Sequence, residues 1–226
     1  MNEIREGFQQ LLDDAVHFHG HLCGGQVIGV RMAMAGLREL AIENPRGKEG
    51  RDLVIFVESD RCATDAIIAV TGRTPGKRSI KMMDYGKMAA TFIETRTGNA
   101  VRINVRGDSN EKITQVAKRH FPHLAQKQAT LEAMRRIAEE DLLKIQKVSV
   151  RLEPRDLPGE PLSVVMCHQC GEMVRDMRHV QLGAKVLCRP CAQGSDYYTC
   201  SCGGLGASET EKSIISHRSD HATSGL

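Results

Sequence analysis

The sequence predicts an α+β fold, with a mixed or antiparallel sheet and packed helices, followed by a small zinc-finger domain. Segments with apolar residues at helical spacing occur among short apolar runs that are typical of strands, which predicts the larger part. Beyond residue 161 the composition changes to cysteine and glycine, which predicts the smaller part. At 226 residues, the chain is long enough for one good-sized domain and a small appendage.

Helices are predicted where apolar residues recur at spacings of three and four. The predicted helices cover about residues 3–16, 25–44, 62–72, 110–120 and 124–145. Breaks are expected at Asn44-Pro45, Gly72 and Pro122, because proline and glycine end helices.

Strands are predicted from short runs rich in apolar and β-branched residues. The predicted strands cover residues 53–57, 79–83, 90–95, 101–106 and 148–152. The first is apolar throughout, so we expect it to be buried on both faces. Thr97-Gly98-Asn99 predicts a hairpin between the third and fourth strands. There is no internal repeat.

Prolines and charged residues concentrate over 153–161, which predicts a domain boundary. We therefore divide the chain into a metal-binding domain over 1–153, a linker over 154–161 and a treble-clef or zinc-ribbon domain over 162–204. A polar, serine-rich tail over 205–226 is expected to be flexible.

The overall composition narrows the function. The net charge is +3, aromatic residues make up 4% and tryptophan is absent, so neither nucleic acid nor a membrane is an expected partner. No signal peptide or membrane-spanning run is recognised, so a cytoplasmic protein is expected. Eight cysteines in such a chain indicate metal or redox chemistry before disulfides.

A short tract near the N-terminus carries candidate metal ligands at spacing two: His17, His19, His21 and Cys23. Imidazole and thiolate are the usual ligands of zinc and similar metals. Spacing two favours an extended turn, in which alternate side chains share one side. The glycines at 24 and 25 let a ligand approach the start of the next helix. The alternative is that the histidines only cap the end of a helix.

A second candidate segment follows the strand over 53–57. Asp60 and Cys62 lie between this strand and the next helix, where α/β folds collect functional groups. A helix N-terminus is expected to lower the pKa of the Cys62 thiol. The alternative is that Cys62 is a small buried hydrophobic residue.

Four cysteines in the second domain follow the pattern C-x2-C-x17-C-x2-C: Cys167, Cys170, Cys188 and Cys191. This spacing is typical of a structural four-thiolate zinc site, which leaves no position for a substrate. Redox-active C-x-x-C chemistry is the rival interpretation. Cys200 or Cys202 could replace one of these ligands or stay free.

Four blocks of the sequence resemble the FmdE family, which is named for one subunit of formylmethanofuran dehydrogenase. They are FHGHLC at 18–23, ESDRCATDAI at 58–67, TGRTPGK at 71–77 and DYGKMA at 84–89, in family order. The resemblance implies an α+β metal-binding domain, commonly dimeric, with a cleft lined by these blocks. It also implies a link to a molybdenum or tungsten oxidoreductase of one-carbon metabolism, in which FmdE is an accessory. The zinc module is an appendage that some members carry.

The chain departs from the family pattern at two positions. Gly24 stands where the family usually has proline, and Arg73 stands where it usually has cysteine. The second change replaces a thiol by a cation, which puts a shared redox function in doubt.

We therefore expect a metal-binding accessory protein with two metals. Zinc would be structural at the four cysteines, and a second metal, also zinc, would bind His19 or His21 with Cys23 and Cys62. The remaining residues expected to line the cleft are His17, Asp60, Asp84, Tyr85 and Lys87. The expected partners are a second copy of the chain, the subunits of an oxidoreductase or a small anionic ligand.

Two alternatives remain open. The first is a metal- or thiolate-dependent enzyme acting on a small anionic substrate, for which the candidate catalytic residues are Cys23, Cys62, Tyr85 and Lys87. The second is a nucleic-acid or protein adaptor that uses the basic residues of the zinc module.

Overall fold

The computed structural model describes residues 2–195 and 197–198, with side chains from residue 7 onward. The chain divides into two units at Glu160. The helices of the first unit are α1 (Asn2–His19), α2 (Gly24–Glu39), α3 (Cys62–Thr71), α4 (Ser109–His120), α5 (Gln126–Arg136) and α6 (Glu139–Leu142). Its strands are β1 (Leu53–Val57), β2 (Ile80–Met82), β3 (Ala89–Glu94), β4 (Asn99–Val105) and β5 (Leu143–Lys147).

The five strands form one mixed sheet in the order β2-β1-β3-β4-β5. Strands β1 and β2 are parallel, and the other neighbouring pairs are antiparallel. Strand β3 is buried along its whole length, as expected for a central strand. The edge strand β5 instead exposes Lys144 and Lys147. These findings confirm the predicted α+β class and its mixed sheet.

Helix α2 is the central helix of the unit, since it contacts α1, α3, α5 and the sheet. It is buried along most of its length and shares a core with Leu12, Ile67 and Phe92. Its contact with α3 is close. A Cβ atom added at Gly29 would lie 2.6 Å from the carbonyl oxygen of Ala63. Burial of this apolar surface is the main contribution that holds the N-terminal ends of α2 and α3 together.

The predicted helix over 124–145 is wrong in its second half. Helix α5 ends at Arg136, because Ile137 and Ala138 adopt extended backbone angles, with ψ of 141° and 143°. The chain then forms α6 and pairs as β5 with β4, with Ile145 opposite Ile103. The strand predicted over 148–152 therefore lies one segment earlier, at 143–147.

Two predicted helix ends also need correction. Helix α1 extends through the histidine tract to His19, so the extended turn predicted there is wrong for His17 and His19. Helix α2 ends at Glu39 rather than near residue 44, and Ala41 then takes a left-handed φ of 54°.

The second unit consists of two hairpins and a short helix. Its elements are β6 (Val164–Met166), β7 (Met173–Arg175), β8 (Val180–Leu182), β9 (Lys185–Leu187) and α7 (Arg189–Gln193). Before it, Pro154–Asp156 form a 3-10 turn whose Arg155 carbonyl accepts a hydrogen bond from Arg78 at 2.8 Å. Cys200, Cys202 and the predicted tail lie outside the described residues.

Among the described residues, no helix has both the length and the apolar character needed to cross a membrane.

Candidate metal centres

Three side chains meet in the first unit at the junction of α1, α2 and α3. His19 is the last residue of α1, Cys23 caps the N-terminus of α2, and Cys62 is the first residue of α3. One ring nitrogen of His19 and the two sulfur atoms all lie within 4.8 Å of one another. This nitrogen and sulfur donor set is one that zinc prefers in proteins.

Two glycines shape the backbone that brings these ligands together. Gly20 has a φ of +96° and donates to the carbonyl of Val16 at 2.8 Å, which ends α1 and turns the chain. A Cβ atom at Gly25 would lie 2.7 Å from the Cβ atom of Cys62. Glycine at position 25 therefore allows the first turn of α2 to approach Cys62.

A carboxylate orients the His19 ring. Nδ1 of His19 lies 2.8 Å from Oδ2 of Asp65, and the other ring nitrogen, Nε2, is buried with no hydrogen-bond partner among the described residues. The contact favours the tautomer in which Nδ1 carries the proton and donates it to Asp65. Nε2 then keeps a free lone pair, as a metal-ligating histidine requires. The residues present therefore fit a metal ion.

Sequence reasoning missed Asp65 as a site residue. Asp65 lies three positions after Cys62 on α3, and residues at this spacing share a helix face. This spacing was the signal that could have found it.

Gln26 is a second missed residue, and it fastens α2 to α3. Its side chain is fully buried, and its amide nitrogen donates to the carbonyl of Cys62 at 2.6 Å. Gln26 also lies three residues after Cys23, so one residue links the two segments that carry the thiols.

The predicted effect of the helix N-terminus on Cys62 is wrong. Burial raises the pKa of the Cys62 thiol, and the neighbouring Cys23 thiol raises it further. Without a metal, this thiol is therefore less acidic than usual. A bound cation would reverse the balance, because metal ligation favours the thiolate.

A cavity of about 300 Å³ lies beside this cluster. It is lined by His19, Asp60, Arg61, Cys62, Thr64, Asp65 and Met82. The predicted cleft residue Asp60 is thus at the site. His17 and His21 are exposed, and His21 stacks with its ring centroid 4.6 Å from that of His19, outside the three-ligand cluster.

The block at 84–87 is not brought into this cavity. Asp84, Tyr85 and Lys87 are exposed between β2 and β3, and Lys87 Nζ lies 5.8 Å from the centroid of the Tyr85 ring. The loop is attached to the end of β1, since the backbone of Lys87 donates to the carbonyl of Glu58 at 3.0 Å.

The end of β1 is itself held by a buried ion pair. The Glu58 carboxylate accepts two hydrogen bonds from Arg102 on β4, at 2.6 and 2.8 Å. Glu58 is 6% exposed, and the planar guanidinium satisfies both carboxylate oxygens. This pair gives the segment from Glu58 to Cys62 a rigid starting point.

Arg73, which stands where the family usually has cysteine, lies just beyond the opposite end of α3 from Cys62. That helix has ten residues and is therefore about 15 Å long. Arg73 donates instead to the carbonyl of Gly50. The substitution therefore does not place a cation at the three-ligand cluster.

The second unit holds a cluster of four thiols, whose sulfur atoms also lie within 4.8 Å of one another. Cys167 and Cys170 lie in the turn between β6 and β7, while Cys188 and Cys191 lie at the start of α7. The backbone N–H of Cys188 donates to the sulfur of Cys167 at 3.2 Å. Backbone hydrogen bonds from Cys170 and Cys188 lower the pKa of the Cys167 thiol to about 6. Such bonds favour the thiolate that zinc binds.

One cluster of three imidazole and thiol ligands and one of four thiols define a metal-binding protein. The chain belongs to the FmdE family, since the family model described as "FmdE, Molybdenum formylmethanofuran dehydrogenase operon" matches residues 18–151. A second model, the prokaryotic dksA/traR C4-type zinc finger, matches residues 160–197. These matches confirm the predicted family and the zinc finger.

Two similar proteins extend the comparison. A "Probable S-adenosyl-L-methionine-binding protein" of Archaeoglobus fulgidus is 29% identical over 207 residues, covering 83% of this chain and 54% of that protein. The chain thus spans about half the length of this relative. The crystal structure of an FmdE-like protein of tungsten formylmethanofuran dehydrogenase from Syntrophus aciditrophicus has the same fold. Its TM-score is 0.56 at 23% identity, with 84% of this chain and 95% of that chain covered.

Proposed function

We propose that the protein is a metal-binding accessory protein of a one-carbon oxidoreductase. A metal ion, most suitably zinc, would be bound by His19, Cys23 and Cys62, and a structural zinc by the four cysteines of the second unit. The buried, unpartnered Nε2 of His19 beside two thiols is the observation that carries this proposal. A buried polar atom without a partner is costly unless a ligand satisfies it.

The accessory role is supported by the relatives rather than by the site. The family model is described by a formylmethanofuran dehydrogenase operon, and the structural neighbour is described as an FmdE-like protein of that enzyme. The resemblance also supports a homodimer and a treble-clef arrangement of the zinc module. Light scattering on the purified protein tests the dimer.

Metal content per chain tests the first centre. Replacing Cys23 and Cys62 together by serine is expected to remove one metal ion per chain, because zinc binds serine far more weakly than thiolate. The matched control replaces Cys188 and Cys191 by serine, and it should remove the other ion. Unchanged metal content in the first variant would refute the proposed centre.

Metal-dependent catalysis is the second candidate function. Three protein ligands leave a tetrahedral ion one open position, and the adjoining cavity of about 300 Å³ has room for a small ligand. A metal bound there would supply Lewis-acid chemistry, while Asp65 holds the His19 proton and Asp60 lies within reach of the cavity.

Cobalt substitution separates the two functions. A cobalt-loaded first centre with an exchangeable position should change its visible spectrum when azide or formate is added. Such a change favours catalysis, and an inert spectrum favours the accessory role. S-adenosyl-L-methionine belongs in the same ligand screen, because the A. fulgidus relative is named for it.

A further inference from the structure

A second cavity in the first unit lies away from the metal ligands, between α1, α2, α5 and α6. Its volume is about 380 Å³, which is within the range of small-molecule sites. None of the residues that line it also lines the cavity beside His19. It is therefore a separate candidate for ligand binding.

Four arginines and two glutamates line this cavity, so its lining carries a net positive charge. Two of the arginines are neutralised. Arg38 binds Glu139 through two hydrogen bonds of 2.7 and 3.0 Å, and Arg135 lies 3.2 Å from Glu132.

The other two arginines, Arg31 and Arg136, contact no carboxylate among the described residues. Arg31 donates to the carbonyl of Met134 at 2.8 Å, and Arg136 lies with its guanidinium carbon 5.1 Å from the centroid of the Phe121 ring. An arginine remains charged even when partly buried, since its pKa is so high. Both guanidiniums thus keep donors for an anion, and planar guanidiniums suit carboxylate and phosphate groups.

The same cavity has an apolar wall. Phe8 from α1 and Met34 from α2 line it, and both are partly buried against the hydrophobic core. An aromatic ring and a flexible thioether accommodate varied apolar groups. An ion with no apolar part would leave this surface without a partner.

We propose that this cavity binds an amphipathic organic anion, with a carboxylate or phosphate on Arg31 and Arg136 and an apolar portion against Phe8 and Met34. The site is independent of the metal centre and of the function proposed for it. It adds an acidic metabolite or a nucleotide-like molecule to the ligands of the protein.

The fluorescent probe 8-anilinonaphthalene-1-sulfonate has the required chemistry, with one anionic group on an aromatic body. In a titration of the full-length protein, Arg31→Gln and Arg136→Gln should each weaken binding by about tenfold, since each removes a charge-assisted hydrogen bond. Arg119→Gln, an exposed change of the same charge on α4, is the matched control and should bind like the wild type. Arg136→Lys keeps the charge and should recover part of the affinity.

Competition identifies the chemistry of the ligand. Hexanoate and hexyl phosphate should displace the probe, whereas hexanol and inorganic phosphate should each be much weaker. Equal displacement by hexanol would overturn the proposal, because it would show an apolar groove only. Wild-type probe affinity in the glutamine variants would also overturn it. So would dissociation of an oligomer in Arg136→Gln, because a second copy of the chain would then cover the cavity.

Discussion

At the scale of single residues, the second contact of His19 matters as much as its ligand atom. Asp65 holds Nδ1 of His19 at 2.8 Å, while Nε2 remains available next to the two thiols. The carboxylate fixes both the tautomer and the ring orientation, and it makes the imidazole a better donor to a metal.

Replacing Asp65 by asparagine should therefore weaken metal binding at the first centre by about 10–100-fold without abolishing it. The amide oxygen can still accept the hydrogen bond, but the negative charge is lost. Competition with a chelator of known affinity measures the change. Asp60→Asn is the matched control, since Asp60 lines the same cavity but has no hydrogen bond to His19. Equal effects of the two changes would mean that charge alone, and not orientation, is responsible.

The residues of the first centre were largely visible in the sequence, and their selection was not. Spacing two made His17, His19 and His21 equivalent candidates. The structure distinguishes them because α1 continues to His19, which is half-buried beside Asp65, while the other two are exposed. That choice depends on packing against α3, which lies far away in the sequence.

At the scale of elements, the N-terminus of α2 is limited by its contact with α5. A Cβ atom at Gly24 would lie 2.9 Å from the sulfur of Met134. Proline, the residue usual in the family here, suits the first position of a helix, and the extended Cys23 is compatible with a following proline. Met134 is thus the obstacle to proline at position 24 in this chain.

A double-mutant cycle tests this contact. Gly24→Pro alone should destabilise the protein by about 1 kcal/mol through overpacking, and Met134→Ala should relieve most of that penalty. Thermal or denaturant unfolding of the four proteins gives the coupling free energy. Gly24→Ala isolates the effect of the added Cβ atom. Strict additivity of the two changes would show that Met134 does not limit position 24.

Local pattern was enough for most elements, and it failed where two patterns overlap. Ile137, Ala138 and Leu142 have helical spacing, so a helix through 145 was the natural prediction. No glycine or proline marks the break after Arg136. The chain leaves the helix there because pairing with β4 satisfies the backbone of β5, an interaction that only the tertiary structure supplies.

At the scale of the whole molecule, the two units are held together by different means. The first has an extensive apolar core. Among the described residues of the second, the buried hydrophobic cluster consists of Cys167, Leu187 and Cys188. Such a small core cannot offset the conformational entropy of the chain without a metal.

Zinc removal should therefore unfold the second unit alone. In a Cys188→Ser variant, amide hydrogens of β6 to β9 should exchange rapidly, while those of β1, β3 and β4 stay protected. Hydrogen–deuterium exchange with mass spectrometry follows both sets in one sample. The Cys23→Ser/Cys62→Ser variant is the control and should leave the second unit protected. Persistent protection of β6 to β9 in Cys188→Ser would mean that zinc is not required for folding.

The edges of the sheet carry one further consequence, which concerns solubility. An exposed strand edge invites pairing with a strand of another molecule, which is a common start of aggregation. Here β2 has only three residues, and β5 exposes two lysines that would repel the same residues of a neighbouring β5. Neither edge therefore favours growth of the sheet by addition of further copies, and association between molecules is directed to helical faces instead.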